Sequence, residues 1–439
     1  MDYFELIKTA DPARTAIIED GTAYTYGRLS EMASGMAESI LKKQQVLPGK
    51  NVKKVFVIKE KSILKQLVLF LACNACGVIP VIVPADALVQ PVISSVPENT
   101  CMGVATSGTT GIPKILYRTY KSWSGFFPAQ NKIFGINKES ILFAQGSLAF
   151  TGNLNLYLSL FYAGGTVVAE NGFNPGRWAN IIKKENVNSI YLIPSKLMLM
   201  PVIIKESNNN IKSIISGSQS LCLNDASKLK EIFPMADITL YYGASELNYI
   251  TYIKDKDMTT DKNLVGKPFP GVKVFIQDGK IYVDNKYHAE GIKCPYSVSD
   301  NGYMDKEGNL YFNGRSDDIV LIHGRKVSLI NIESKLEEIE GIHEAAVVPV
   351  TGNKKCILLA FIDLAGNIVY SNACNGSNIL KKLPGDSDIF KKLRKKLANY
   401  EMPCKIIVLN KMVYNGSGKK DKKKILEMYK HWNTQKCHS

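Results

Sequence analysis

Apolar runs of strand length alternate with helical stretches through the first half of the chain. Ala16-Ile17-Ile18 and Ala23-Tyr24-Thr25-Tyr26 flank Glu19-Asp20-Gly21-Thr22, the pattern of a hairpin. From Tyr26 onward the apolar positions Leu29, Met32, Met36, Ala37 and Ile40 fall near helical spacing. Val55–Ile58 reads as a strand, Ile63–Cys76 as a helix and Val78–Val83 as a buried strand. Ile141–Ala144, Thr166–Ala169 and Ser189–Ile193 read as further strands, separated by helices over Leu154–Tyr162 and Trp178–Lys184. Such alternation implies an α/β fold with a parallel, doubly wound sheet. The most apolar window, Gln66–Pro84, nearly has the length of a membrane span. Asn74, Gly77 and Pro80 interrupt it, so a helix followed by a strand is the better reading and no transmembrane segment is expected.

A chain of 439 residues exceeds one hydrophobic core, so two or three domains are expected. Apolar residues at 45% and charged residues at 22% describe an ordinary globular protein. The net charge of +15 favours anionic partners such as nucleotides, CoA or an acidic carrier protein. The lysine runs at 391–396 and 419–424 have no interleaved aromatics to stack bases, so solvated helix faces are expected rather than nucleic-acid binding. The nine cysteines are scattered, and Met1-Asp2-Tyr3-Phe4-Glu5 has neither a basic start nor an apolar signal core. A cytoplasmic protein with reduced thiols is the expectation. Cys73 and Cys76 lack a second pair at zinc spacing and are read as packed core thiols.

Several polar stretches could carry chemistry. Thr106-Ser107-Gly108-Thr109-Thr110-Gly111-Ile112-Pro113-Lys114 joins two apolar runs. Its glycines allow sharp turns and close approach, its hydroxyls and amides can donate to phosphate oxygens, and Lys114 adds a positive charge. Pro113 separates glycine from lysine, so this is not the Walker loop, and composition alone fits a polar surface turn equally well. Ile211–Leu221 reads as a buried strand ending in a turn at Gly217 and Ser218; ligands of α/β sheets bind at such carboxyl ends. The apolar run Ile238–Leu240 delivers Tyr241-Tyr242-Gly243-Ala244-Ser245-Glu246. An aromatic there can stack on adenine, and a carboxylate can hold Mg²⁺ between phosphates. Val298–Met304 and Asn309–Val320 flank a charged turn, Asp305–Gly308, and fit a hairpin. Tyr414–Lys422 taken alone is a lysine-rich turn.

In this order, these segments resemble the motifs of the acyl-adenylate-forming (ANL) enzymes: the acyl- and aryl-CoA synthetases, peptide-synthetase adenylation domains and beetle luciferases. Thr106–Lys114 resembles their phosphate loop, implying a mobile clamp on the β- and γ-phosphates of ATP. Gly217 and Ser218 fall in the segment that lines the acyl and adenine pockets, with Ser218 where a second glycine or an alanine is common. The Tyr-Gly-x-Thr-Glu motif is matched with Ser245 for threonine. The resemblance implies that Tyr242 packs on adenine with Gly243 also in the nucleotide site, that Ser245 contacts the phosphate and carboxylate region, that Glu246 binds the metal, and that Ser245 and Glu246 are catalytic. Asp300 matches the ribose-binding aspartate, although Val298-Ser299 departs from the family's Thr-Gly. Arg315 would reach ribose or phosphate, and Asp317 corresponds to the hinge residue. Ile322–Ser328, with Gly324 and Arg325, and Glu333 resemble the segment that serves thioester formation; His323 receives no role. Lys419 takes the place of the lysine that acts in adenylation, and Lys422 replaces the usual arginine.

The implied architecture is a large AMP-binding domain over residues 1–314 made of doubly wound sheets plus a small β-structure, a hinge at 315–318, and a small mobile α+β domain over 319–439. The chain is a compact version, because the stretch between Pro84 and Thr106 is shorter than in most relatives. The implied chemistry is attack of a carboxylate on ATP to give acyl-AMP and pyrophosphate, then attack of a thiol to give a thioester and AMP, with ATP, Mg²⁺ and CoA taking part. The acyl-pocket motif falls on Ser147–Leu154. Phe150 stands near the position where amino-acid-activating domains carry an aspartate, which argues against a free α-amino acid. Asn153 and Asn155 leave a hydroxylated aryl acid open, and a fatty or other apolar acid is the first choice. CoA is the expected acceptor, with the phosphopantetheine arm of a carrier protein as the alternative; oligomeric state is left open. A non-catalytic nucleotide-binding protein on the same fold is the competing class, and retention of Glu246, Asp300 and Lys419 speaks against it.

Overall fold

A computed structural model describes residues 1–44, 54–87, 89–93, 95–106, 113–315, 318–322, 325–351, 356–364, 379–385, 387–414 and 420–436. The chain divides into two compact units. The first comprises Met1–Phe275, Tyr282–Val298 and Met304–Leu310; the second comprises Ile276–Ile281, Ser299–Tyr303 and Tyr311–Ser439.

The first unit is built on a sheet whose centre is a run of parallel strands. Their spatial order is Thr15–Glu19, Thr166–Glu170, Ile141–Gln145, Ser189–Tyr191, Ser213–Gly217 and Asp237–Ala244. Thr22–Thr25 closes one side as a hairpin, and Asn248–Lys254 and Leu264–Pro268 continue the other side antiparallel. Continuous burial explains why these strands read as apolar runs rather than as alternations. Every residue of Ser213–Gly217 is buried, as expected of a strand covered on both faces. Helix Thr151–Ala163 is buried on all sides from Asn153 to Phe161, so it carries almost no polar face.

A second sheet in the same unit orders Val55–Ile58, Ile79–Ile82, Thr100–Thr106 and Lys114–Thr119. The first three strands are parallel and the last is antiparallel. Helix Ile63–Ala75 is the crossover between its first two strands. Ser62 caps it through Lys65 N at 3.2 Å, and the Glu19 carboxylate accepts from Ser62 Oγ at 2.8 Å and Ile63 N at 2.7 Å. A carboxylate at a helix N-terminus satisfies amides that lack a partner and complements the helix dipole. Cys73 is packed in this helix, where burial pushes its thiol well above the usual range; Cys76 is half-buried and pushed up for the same reason. The apolar window therefore divides into helix and strand. Among the described residues no helix is long and apolar enough to cross a membrane.

The second unit holds a sheet ordered Ile342–Thr351, Cys356–Leu364, Lys405–Leu409, Ile379–Lys382. Side chains alternate across it with period two. Ala345, Val347, Leu358, Ala360, Ile406 and Val408 face helices Leu329–Glu337 and Asp388–Arg394 through one core. Ala346, Val348, Leu359, Phe361, Ile407 and Leu409 meet helix Lys422–Lys436 through Ile425 and Tyr429. The strands Ile319–Ile322 and Arg325–Ser328 pair antiparallel ahead of this layer, and Ser328 caps the following helix through Asn331 N at 3.2 Å.

Candidate active site

In the first unit, the candidate segments Gly217–Ser218 and Tyr241–Glu246 lie at the carboxyl ends of the parallel strands. Strand Asp237–Ala244 runs through most of the Tyr-Tyr-Gly-Ala-Ser-Glu segment, turns at Ser245–Leu247 and returns antiparallel as Asn248–Lys254. The segment is thus the tip of a hairpin rather than a plain strand end. Gly243 permits the close return, since a Cβ there would lie 2.6 Å from Asn248 O. Alternation along the strand separates the two tyrosines. Tyr241 is buried, with its hydroxyl 2.8 Å from that of Tyr191, whereas Tyr242 is only partly buried. Gly217 lies flat against the Tyr241 ring, where a Cβ would approach ring atoms to 2.5 Å. Ser218, next in the chain, has φ of 69°, the left-handed region that favours glycine.

Phe150 stands at the N-terminus of helix Thr151–Ala163. Thr151 Oγ1 lies 3.0 Å from Ser245 Oγ, which brings the segment around Phe150 against the Ser-Glu turn. The Asn153 amide donates to Gln145 O at 3.3 Å and Ser147 O at 3.1 Å, so its NH₂ group braces the preceding loop. Asn155 is likewise engaged, donating to Asn248 Oδ1 at 3.4 Å and accepting from Tyr249 Oη at 3.0 Å. Thr106 and Lys114 are register partners at the mouth of their hairpin. The loop residues Ser107, Gly108, Thr109, Thr110 and Gly111 lie outside the described residues, and Lys114 is exposed.

The second unit holds a separate group. Asp300 is buried, and Arg315 Nε lies 3.4 Å from its Oδ1. Ser299 has φ of 65°. This explains physically why glycine suits the position before Asp300: a serine held there carries backbone strain of about 1 kcal/mol. Arg325 stacks over the Tyr400 ring at 4.8 Å. Asp317, Gly324 and Lys419 lie outside the described residues. The residues after Lys419 are firmly held: Lys420 Nζ lies 2.8 Å from Glu337 Oε1, and Lys422 Nζ lies 3.3 Å from Asp318 and 2.9 Å from Glu333. Burial lowers the Lys420 pKa, but Glu337, Glu333 and Glu344 outweigh it and hold the ammonium above its ordinary value.

Known proteins supply the frame for this geometry. The family described as AMP-binding enzyme matches residues 85–290. An uncharacterized acyl–CoA ligase of Bacillus subtilis is 25% identical over 352 residues, covering 76% of this chain and 70% of its own length. A putative long chain fatty acid–CoA ligase of Staphylococcus haemolyticus is 27% identical over 340 residues, covering 74% and 69%. By the family match and these relatives, this chain is similar to the acyl-adenylate-forming enzymes. A third relative, the D-alanine–D-alanyl carrier protein ligase of Lactococcus lactis, is 24% identical over 351 residues, covering 74% and 69%. Among solved structures, ATP-bound MatB from Rhodopseudomonas palustris superposes with a TM-score of 0.80 at 17% identity, covering 98% of this chain and 99% of the other. O-succinylbenzoate coenzyme A synthetase from Bacillus subtilis, in complex with AMP, gives 0.78 at 18% identity, covering 96% and 97%. At that identity the structures speak for the shared fold alone.

Sequence reasoning missed two cations of the first unit, one buried and one half-buried. Arg118, on strand Lys114–Thr119, is fully buried, and burial pushes its guanidinium down to about 10. The signal was available: a charge directly after the apolar run Ile115-Leu116-Tyr117. Lys196 lies half-buried with Nζ 2.5 Å from Gln145 Oε1, and burial pushes it down to about 8. A divalent cation fits the Ser-Glu turn. The half-buried Glu246 carboxylate takes no hydrogen bond and forms no ion pair among the described residues, and the Arg118 charge acts on it only through space, leaving its hard oxygens open to a cation.

Proposed function

We propose that this chain is an AMP-forming acid–thiol ligase: it activates a carboxylic acid as acyl-AMP and passes the acyl group to a thiol, with CoA as the acceptor. The observation that carries the reading is the Thr151–Ser245 contact, which gathers the acyl segment, the Gly217–Ser218 turn and the uncommitted Glu246 at one set of strand ends. Tyr242 is assigned to adenine, Ser245 to the phosphate and carboxylate region, and Asp300 and Arg315 to ribose and phosphate. Thr106–Lys114 is assigned to pyrophosphate, and Lys419 to the chemical step, where negative charge gathers on the α-phosphate and the attacking oxygen. Glu246 would hold Mg²⁺, which when bound supplies phosphate neutralisation. Residues 1–314 and 319–439 are the proposed domains, with Asp317 as hinge and Gly324 and Arg325 on the thiol side.

A fatty or other apolar acid is the proposed substrate class. Phe150 in place of an acid supports it, as do the Staphylococcus relatives, which are named as putative long chain fatty acid–CoA ligases. The Lactococcus relative, a carrier-protein ligase, supports a second acceptor reading in which a phosphopantetheine arm replaces CoA. The net charge of +15 suits either anionic acceptor. The test is acid-dependent ATP–pyrophosphate exchange over aliphatic, aryl and amino acids, followed by thioester formation with free CoA. Exchange with aliphatic acids and a CoA thioester are expected. No exchange with any acid removes the ligase reading, exchange mainly with amino acids removes the pocket argument, and adenylation without a CoA thioester turns the acceptor to a carrier protein.

A further inference from the structure

We infer that Arg118 is a positioning residue for the metal-binding turn: a buried guanidinium that locks the backbone of Ser245–Leu247 and thereby fixes the Glu246 carboxylate. Three successive carbonyls of that turn are each held by an outside donor. Ser245 O accepts from Arg118 Nη2, Glu246 O from Ala289 N at 2.8 Å, and Leu247 O from Asn285 Nδ2 at 2.6 Å. Two of these donors belong to one segment, 285–290, and Arg118 is tied to it by Nη1 on Tyr287 O at 2.8 Å. The same segment returns to the strand that carries Arg118, because Glu290 N donates to Tyr117 O at 2.9 Å. The strand leaving the phosphate loop, the metal-carboxylate turn and the 285–290 segment therefore form one hydrogen-bonded clamp with Arg118 at its centre.

A fully buried arginine is costly unless its charge is answered. Here two carbonyl bonds, the Trp123 ring at 5.1 Å and the nearby carboxylates Glu246 and Glu290 answer it. The planar fork matters, because two carbonyls on separate segments must be reached at once; a lysine ammonium cannot reproduce that geometry. Residues that orient a metal ligand without touching the metal commonly set its affinity.

The inference rests on the ligase reading in taking Glu246 as the metal ligand, and the test keeps the two apart. Binding of ATP alone is followed by calorimetry, and binding of Mn²⁺–ATP by loss of the free Mn²⁺ electron paramagnetic resonance signal, both on the full chain. For Arg118→Lys the expectation is metal-free ATP affinity within twofold of wild type, and Mn²⁺–ATP affinity weakened by about tenfold or more. If Arg118→Lys does not fold, Asn285→Ser carries the test, since it frees Leu247 O with Arg118 intact, and the same selective loss is expected. Equal weakening with and without metal would reduce Arg118 to a purely structural role and overturn the inference, as would unchanged Mn²⁺–ATP binding. Failure of the wild-type chain to bind Mn²⁺–ATP would instead overturn the ligase reading on which it stands.

Discussion

Replacing Gly217 by alanine tests the central packing claim. The new Cβ would lie 2.5 Å from Tyr241 Cζ and 2.7 Å from both Cε atoms. Ordinary carbon contacts begin near 3.5 Å, so the ring must recede by roughly 1 Å. It has little room to do so. Its hydroxyl is bonded to Tyr191, its ring lies T-shaped to that of Tyr249 at a centroid distance of 4.7 Å, and Phe134 packs at 6.0 Å. Overpacking of this kind costs about 2 kcal/mol, close to a thirtyfold shift in the folded-to-unfolded ratio. The assay is urea unfolding followed by tryptophan fluorescence in a Trp432→Phe background, which leaves Trp123 and Trp178, both in the first unit, as reporters. The decisive comparison is Gly217→Ala with and without Tyr241→Ala. Removing the ring should abolish most of the cost, giving a coupling energy near the full about 2 kcal/mol. Equal destabilisation in both backgrounds would show that the clash with Tyr241 is not the cause, and the reasoning would fail.

Other substitutions probe the remaining features. Lys420→Met removes the partner of Glu337 and the donor to Ala345 O, and should destabilise the second unit by about 2 kcal/mol in thermal melts; an unchanged melt would contradict the anchoring role. Lys196 is held near 8 when folded against 10.5 as the ordinary value, so the folded state binds fewer protons across that window. Stability should therefore rise with pH from about 8 to 10.5 and lose this contribution as pH falls through about 8. Lys196→Met should flatten that rise in denaturation midpoints measured at each pH, and an identical profile would remove the assignment. Lys419→Ala should cut pyrophosphate exchange by at least about a hundredfold while sparing thioester formation from supplied acyl-AMP. Equal loss of both steps would contradict the role given to Lys419.

The motif order named the superfamily, and the strand–helix alternation named the fold class, because both are local signals. Val55–Ile58 and the hairpin at Ala16–Tyr26 were legible for the same reason: their apolar period and turn residues act over a few positions. The division of the strands into two sheets was not legible, since a buried parallel strand reads the same whichever sheet it joins. Nor was the hairpin at Ser245–Leu247, because its return strand, Asn248–Lys254, is as apolar as its outgoing one.

The sequence by itself determined which residue types stand ready for chemistry: a hydroxyl-rich loop, a carboxylate after tyrosine and glycine, and a lysine near the end of the chain. Tertiary structure alone decided how they are held. Tyr241 turns inward to Tyr191 while Tyr242 takes the other face, a consequence of pleat and register rather than composition. Arg118 becomes the centre of a clamp only because residues 285–290 return, far along the chain, to lie across its strand. Apolar periodicity records burial, but it does not record which distant carbonyl a buried charge will meet, and that partner is what makes a guanidinium tolerable in a core.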